Sequence, residues 1–280
     1  MFLPTVNHAQ SALNTTDFKQ GIYNIGLGSV IGGVGAVINK KPDEKTGKVF
    51  LRGALQGALG GYLVFESKRM IREFGKTENY SYVWGSKIVN AAGNSIIENA
   101  SNNNRYWESW HINFGFNRIE FNPRSTESKI KYRIMPFSLI ATASAFTVAK
   151  LNLTRTAKTG TFVFTAEKLP YSKIVEAHPL GLASLNSIII AYGLESDHNA
   201  VLTAHELIHT YQYEELSGFN AFLKPVNQKL DSKYNTVKTY HKYFYTDWNA
   251  LIKMLSYSID NKLNGYHNSF YEGEASYYMK

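Results

Sequence analysis

Glycines set four residues apart in two apolar stretches constrain this chain more than any other feature. GIYNIGLGSVIGGVGAVI (21–38) carries Gly28 and Gly32, and VFLRGALQGALGGYLVF (49–65) carries Gly53, Gly57 and Gly61. Residues four apart share a helix face, so each stretch bares backbone along one side and admits a second helix at close range. The charged turn NKKPDEKTGK joins them, and the expectation is a helical hairpin. Each stretch is about 17 residues, the lower limit for crossing a bilayer, and Arg52 and Gln56 interrupt the second. A glycine-packed hairpin in water, a pair of twisted strands, and a hairpin inserted in or attached to a membrane are all open readings. GLGSVIGG has neither the G-x-G-x-x-G spacing nor a following G-K-[ST], which argues against a nucleotide site.

The first residues, MFLPTVNHAQS, read as the tail of an export signal, with a small-residue site before Gln10. Together with the hairpin they favour the cell envelope, membrane-associated or periplasmic, over the cytoplasm. The chain carries a formal charge of +8, but its densest basic groups, KKPDEKTGK and the 223–242 stretch, are broken by acids, proline or aromatics. A solvated basic surface is expected, and no nucleic-acid partner.

WGSKIVNAAGNSIIENAS (84–101) repeats its apolar residues at the helical period, and NNNR (102–105) breaks the chain. A boundary is placed there, dividing a helical Gly-rich region, 1–105, from a second region, 106–280. From 108 to 192 the period becomes two: WHINFGFNRIEFN, KIKYRIMPFSLIATA, AFTVAKLNLT, GTFVFTAE and NSIIIAYG are β-branched and aromatic with turns between. An antiparallel meander of four to six strands is expected, too few for an outer-membrane barrel. After Gly193 the pattern is helical to the end. Helices, then strands, then helices, without regular alternation, define an α+β protein.

Chemistry concentrates in TAHELIHTYQYEE, Thr203 to Glu215. Ser196 or Asp197 can cap this helix and Gly218 can end it. His205 and His209 then stand one turn apart on one face, where both imidazoles can reach one tetrahedral zinc at about 2.0–2.1 Å. Glu206 is turned by about 100° and lies beside the metal, the position of a general base. Thr203, Ala204, Leu207, Ile208, Thr210 and Tyr211 add no competing charge, and Glu214 and Glu215 are expected on the solvated face. An ordinary polar pair of histidines is the competing reading. With no cysteine in the chain, any metal must take nitrogen and oxygen ligands.

HELIH matches the signature of the zincin metallopeptidases over about ten residues. No third histidine follows within TYQYEELSG, which leaves the gluzincin type, whose third ligand is a glutamate on a later helix. NSFYEGEASYYMK resembles the E-x-E-A-D segment of the membrane-associated heat-shock and prenyl-protein-processing gluzincins. By position, the resemblance implies Glu272 as third zinc ligand, and Ser276 stands where the family has a supporting aspartate. Glu274 is the alternative ligand, and Ser269-x-x-Glu272 also reads as a capping box. His241, His267, Tyr266 and Tyr271 are candidate donors to an oxyanion, with ordinary packing as the alternative. His198 reads as a surface or capping residue. NSIIIAYG is a candidate edge strand for binding an extended substrate, although a buried central strand would show the same run. The implied function is zinc-dependent hydrolysis of a peptide or protein substrate with Glu206 as base. A non-catalytic metal-binding or envelope-associated protein that keeps a zincin-like fold is the alternative.

Overall fold

The structure, a computed structural model, describes residues 16–126, 128–173, 178–191 and 196–279. The signal-like start, the strand end at Tyr192 and Gly193, and the side chains of Ser196, Asp197 and His198 lie outside the described part.

The glycine spacing produces the expected hairpin. Helix α1 (Asp17–Ile38) packs antiparallel on α2 (Thr46–Thr77), and α3 (Ser81–Ser101) closes a three-helix layer. A Cβ at Gly32 would stand 2.5 Å from the Gly53 carbonyl oxygen, and one at Gly53 would stand 2.5 Å from that of Gly32. Gly28 and Gly57 oppose each other in the same way, even more closely. Gly57→Val is therefore expected to lower stability by at least about 1–3 kcal/mol, the usual cost of overpacking. A thermal-unfolding midpoint equal to wild type would contradict this close contact.

By length and composition α1 is apolar enough to cross a membrane. Its inner face, Asn24, Gly28, Ile31 and Gly32, is buried. Outward-facing Ile22 and Val30 on α1, with Leu51, Leu55 and Leu59 on α2, are exposed.

The strand region departs from a single meander. Strands β1 (Trp110–Phe114), β2 (Asn117–Phe121) and β3 (Ile130–Ile134) form one antiparallel sheet. A second sheet has the order β4 (Lys150–Leu151), β5 (Phe162–Ala166), β7 (Ser187–Ala191), β6 (Gly181–Ser184). Its β5–β7 pair is parallel, so the sheet is mixed.

KIKYRIMPFSLIATA, read as a strand, turns helical after Ile134 as α4 (Pro136–Val148), and AFTVAKLNLT divides among the end of α4, β4 and the start of a helix α5 (Leu153–Thr159). Proline opens α4, where its missing N–H costs nothing. The Asp247 carboxylate accepts the free N–H groups of Phe137 and Ser138, both at 3.0 Å. The buried stripe of α4 is Ser138, Thr142 and Ala145. Its helical period is thus carried by small, partly polar residues, which a search for apolar periodicity passes over.

Helix α6 (Ser196–Glu214) carries HELIH. It is followed by a 3₁₀ turn (Ser217–Leu223), α7 (Lys224–Lys233), α8 (Asn235–Tyr243), α9 (Asn249–Asn264), a short 3₁₀ turn (Tyr266–Asn268) and α10 (Phe270–Tyr277). The helix ends before Gly218, which lies in the 3₁₀ turn and brings the chain against Ile31 and Ile97. The coarse class is α+β. Its largest core joins Ile71 and Phe74 of α2 and Val83 of α3 to Val163, Ile188 and Ile190 of the mixed sheet, to α6, and to Ala275 of α10. The N-terminal helices therefore pack directly on the part that carries the motif.

Candidate metal centre

The burial pattern of α6 fixes where its histidines point. Ala200, Ala204, Leu207, Ile208 and Tyr211 face the core, which leaves His205, His209 and Gln212 on the neighbouring face, toward α10. The two Nε2 atoms are 3.1 Å apart. Glu272 of α10 brings one carboxylate oxygen to 3.3 Å from His205 Nε2 and the other to 3.4 Å from His209 Nε2. All three side chains are largely buried, 13%, 12% and 8% exposed.

These spacings have a physical meaning. Ligand atoms arranged tetrahedrally at about 2.0–2.1 Å from one ion are roughly 3.3–3.4 Å from each other. The edges of the His205–His209–Glu272 triangle nearly match that figure, so this group could bind a metal ion. The donor set is two imidazoles and one carboxylate.

Glu272 is held firmly. The Ser269 hydroxyl accepts its N–H at 3.3 Å, and Asp260 accepts the N–H of Phe270 at 2.7 Å, which together start α10. Only this half of the capping box forms, because the Glu272 carboxylate turns to the imidazoles. Tyr257 donates to it at 3.0 Å, and Tyr266 lines the cleft beside it. Burial would raise the pKa of Glu272, but His209 and His205 hold it far below the ordinary carboxylate range.

Glu206 lies beside the triangle and is buried. Burial pushes its pKa up to about 7. His205 draws it down, the Glu272 charge adds to the rise, and the Ala183 main-chain N–H draws it down again. A cation bound between the ligands would lower it further by direct attraction. The carboxylate sits against β6 at Gly181, where any Cβ would overlap it. Gly181→Ala is expected to displace Glu206 and reduce any hydrolytic activity at least about tenfold without loss of metal, since small misplacements of reacting groups are costly. Activity assays paired with metal analysis check this, and unchanged turnover would count against it.

The group opens on a cleft of about 820 Å³ lined by Phe137, Ile140, Leu182, Leu251, Met254 and Tyr257. Strand β7 is central in its sheet, and the edge that borders the cleft is β6. NSIIIAYG is therefore not the edge strand; its continuous apolar run reflects burial on both faces.

Other expectations are corrected. Glu274 is not part of the triangle: it accepts from Lys68 at 2.9 Å and Gln212 at 2.9 Å. Glu214 and Glu215 are buried rather than solvated. Glu214 accepts from Asn90 and Asn113, and Glu215 pairs with Lys68. Of the suggested oxyanion donors, Tyr266 lines the cleft. Tyr271 turns its hydroxyl to Ser256 at 2.6 Å, His241 pairs with Asp231 at 2.7 Å, and His267 is exposed. Ser276 hydrogen-bonds neither histidine among the described residues; His205 Nδ1 instead lies 3.0 Å from the Met279 sulfur.

Sequence reasoning missed Gln212, which accepts from His209 Nδ1 at 2.8 Å and so leaves Nε2 free to coordinate. Its signal was available, three residues after His209 on the same helix face. Lys253 and Tyr257, by contrast, lie on α9, and nothing in their spacing ties them to HELIH.

Comparison of the chain with protein-family models, curated proteins and solved structures gave no match.

Proposed function

We propose that this chain is a zinc-dependent peptidase of the zincin type. The observation that carries the reading is the triangle of His205, His209 and Glu272 at near-tetrahedral edge lengths, with the Glu206 carboxylate at its side and an apolar cleft before it. Zinc held by these three residues would supply Lewis acidity to the carbonyl and the water of a hydrolysis.

The chain's own groups divide the remaining work. Glu206 takes one proton from the attacking water, whose oxygen bonds to the peptide carbonyl carbon. As the C–N bond breaks, Glu206 returns that proton to the leaving amine. Gly181 leaves the space in which this carboxylate stands, and the Ala183 N–H orients it. Tyr257 steadies the ligand Glu272 from the cleft side. The β6 edge can align an extended substrate, and Ile140, Leu182 and Met254 offer contact to its apolar side chains.

The test is a peptide-library digest by purified protein with zinc, with a chelator, and with zinc restored. Cleavage in the first and third samples alone is expected. Stoichiometric zinc with no cleavage of any peptide would replace this reading with a non-catalytic metal-binding role.

A further inference from the structure

A buried lysine from the N-terminal hairpin reaches the metal centre through two intermediates. Lys68 of α2 is wholly buried, and its ammonium donates to Glu215 at 2.5 Å, to Glu274 at 2.9 Å and to Asn24 at 3.0 Å. The other oxygen of Glu274 accepts from Gln212 Nε2 at 2.9 Å, and the same NH₂ group donates to the Tyr271 carbonyl at 2.9 Å. Gln212 Oε1 accepts from His209 Nδ1 at 2.8 Å and from Lys253 Nζ at 2.9 Å.

The bonds of the Gln212 NH₂ group have a fixed direction, because the Glu274 carboxylate and the Tyr271 carbonyl can only accept. The Gln212 amide is therefore locked, with NH₂ toward Glu274 and oxygen toward His209. Were it reversed, its NH₂ would face Nδ1 and require that nitrogen to accept. The ring proton would then sit on Nε2, the atom aimed at His205 and Glu272. The orientation of Gln212 thus decides whether His209 can be a ligand, and Glu274 sets that orientation from its outer side. Glu274 is in turn positioned by Lys68. Without the ammonium, a fully buried carboxylate would lose its strongest partner and turn toward other donors.

We propose that Lys68 is a positioning residue for the metal centre: through Glu274 and Gln212 it holds His209 in the orientation and tautomer that bind metal. The Gly-rich hairpin is on this account part of the site rather than an appendage. The inference rests on the metal-centre reading given above.

The experiment is a double-mutant cycle on zinc affinity, measured by competition with a chromophoric chelator, with folding followed by circular dichroism. Lys68→Met and Gln212→Met are each expected to weaken zinc binding about 10–100-fold, the usual loss when the support of a ligand is removed. Because the effect of Lys68 passes through Gln212, the double variant should bind no more weakly than the weaker single one. Independent structural damage would instead multiply. Folded Lys68→Met with wild-type affinity, or multiplicative losses, would overturn the proposal. If Lys68→Met does not fold, Glu274→Gln, close in shape to the native residue, takes its place, with the same 10–100-fold loss expected. Unchanged affinity there would equally overturn it. Wild-type protein that binds no zinc would remove the metal centre and this relay together, whereas tight wild-type binding with unaffected variants would remove the relay alone.

Discussion

Glu206→Gln is expected to lower peptide hydrolysis by about 10²–10⁴-fold, the range typical of a lost general base, while zinc remains bound at wild-type stoichiometry. The expectation follows from position. Glu206 is buried between β6 and the His205–Glu272 side of the triangle, yet it is not one of the three converging ligands. An amide at that point keeps the volume and can still accept the Ala183 N–H, but it cannot take a proton from water at neutral pH. Parallel measurement of turnover and bound metal separates this from a folding defect. A variant with near wild-type turnover would show that the proton goes elsewhere.

Glu272→Gln should have the opposite signature, with metal lost first and activity lost as a consequence. Glu272 supplies the only negative charge in the triangle and accepts the Tyr257 hydroxyl at 3.0 Å. Zinc affinity is expected to fall by more than about 100-fold, beyond the 10–100-fold typical of groups that merely support a ligand. Glu274→Gln, two residues on, should cost less, because its carboxylate reaches Lys68 and Gln212 instead of the triangle. A larger loss at Glu274 than at Glu272 would reverse the assignment of the two glutamates.

Much of this geometry was legible in the sequence, for reasons specific to particular residues. Spacing alone put His205 and His209 on one face, because the helical repeat is rigid. Gly28, Gly32, Gly53 and Gly57 likewise announced a close hairpin, since a missing Cβ has one plain packing consequence. The strand region was harder. Pro136–Val148 is rich in residues that suit strands, and its helix is set by Asp247, more than a hundred residues later, and by a buried Ser–Thr–Ala stripe. Tertiary contacts of this kind override local preference and leave no local trace. Glu214 and Glu215 were misplaced for a related reason. A carboxylate is expected in water unless a partner compensates its burial, and the partners here, Lys68, Asn90 and Asn113, come from distant segments. Gln212 and Gly181 act on the site by orienting or making room for another residue. The spacing of Gln212 from His209 puts it on the right face, but what it orients, and the room Gly181 makes, become visible only when the neighbours are known.

Metal content is the most direct test of the whole account. Purified protein, prepared without chelator and then equilibrated with zinc and desalted, is predicted to retain one zinc ion per chain, lost when both His205 and His209 are replaced by alanine. Wild-type protein that is folded and retains no metal, or that retains as much after those replacements, would contradict the claim that these side chains form a metal centre.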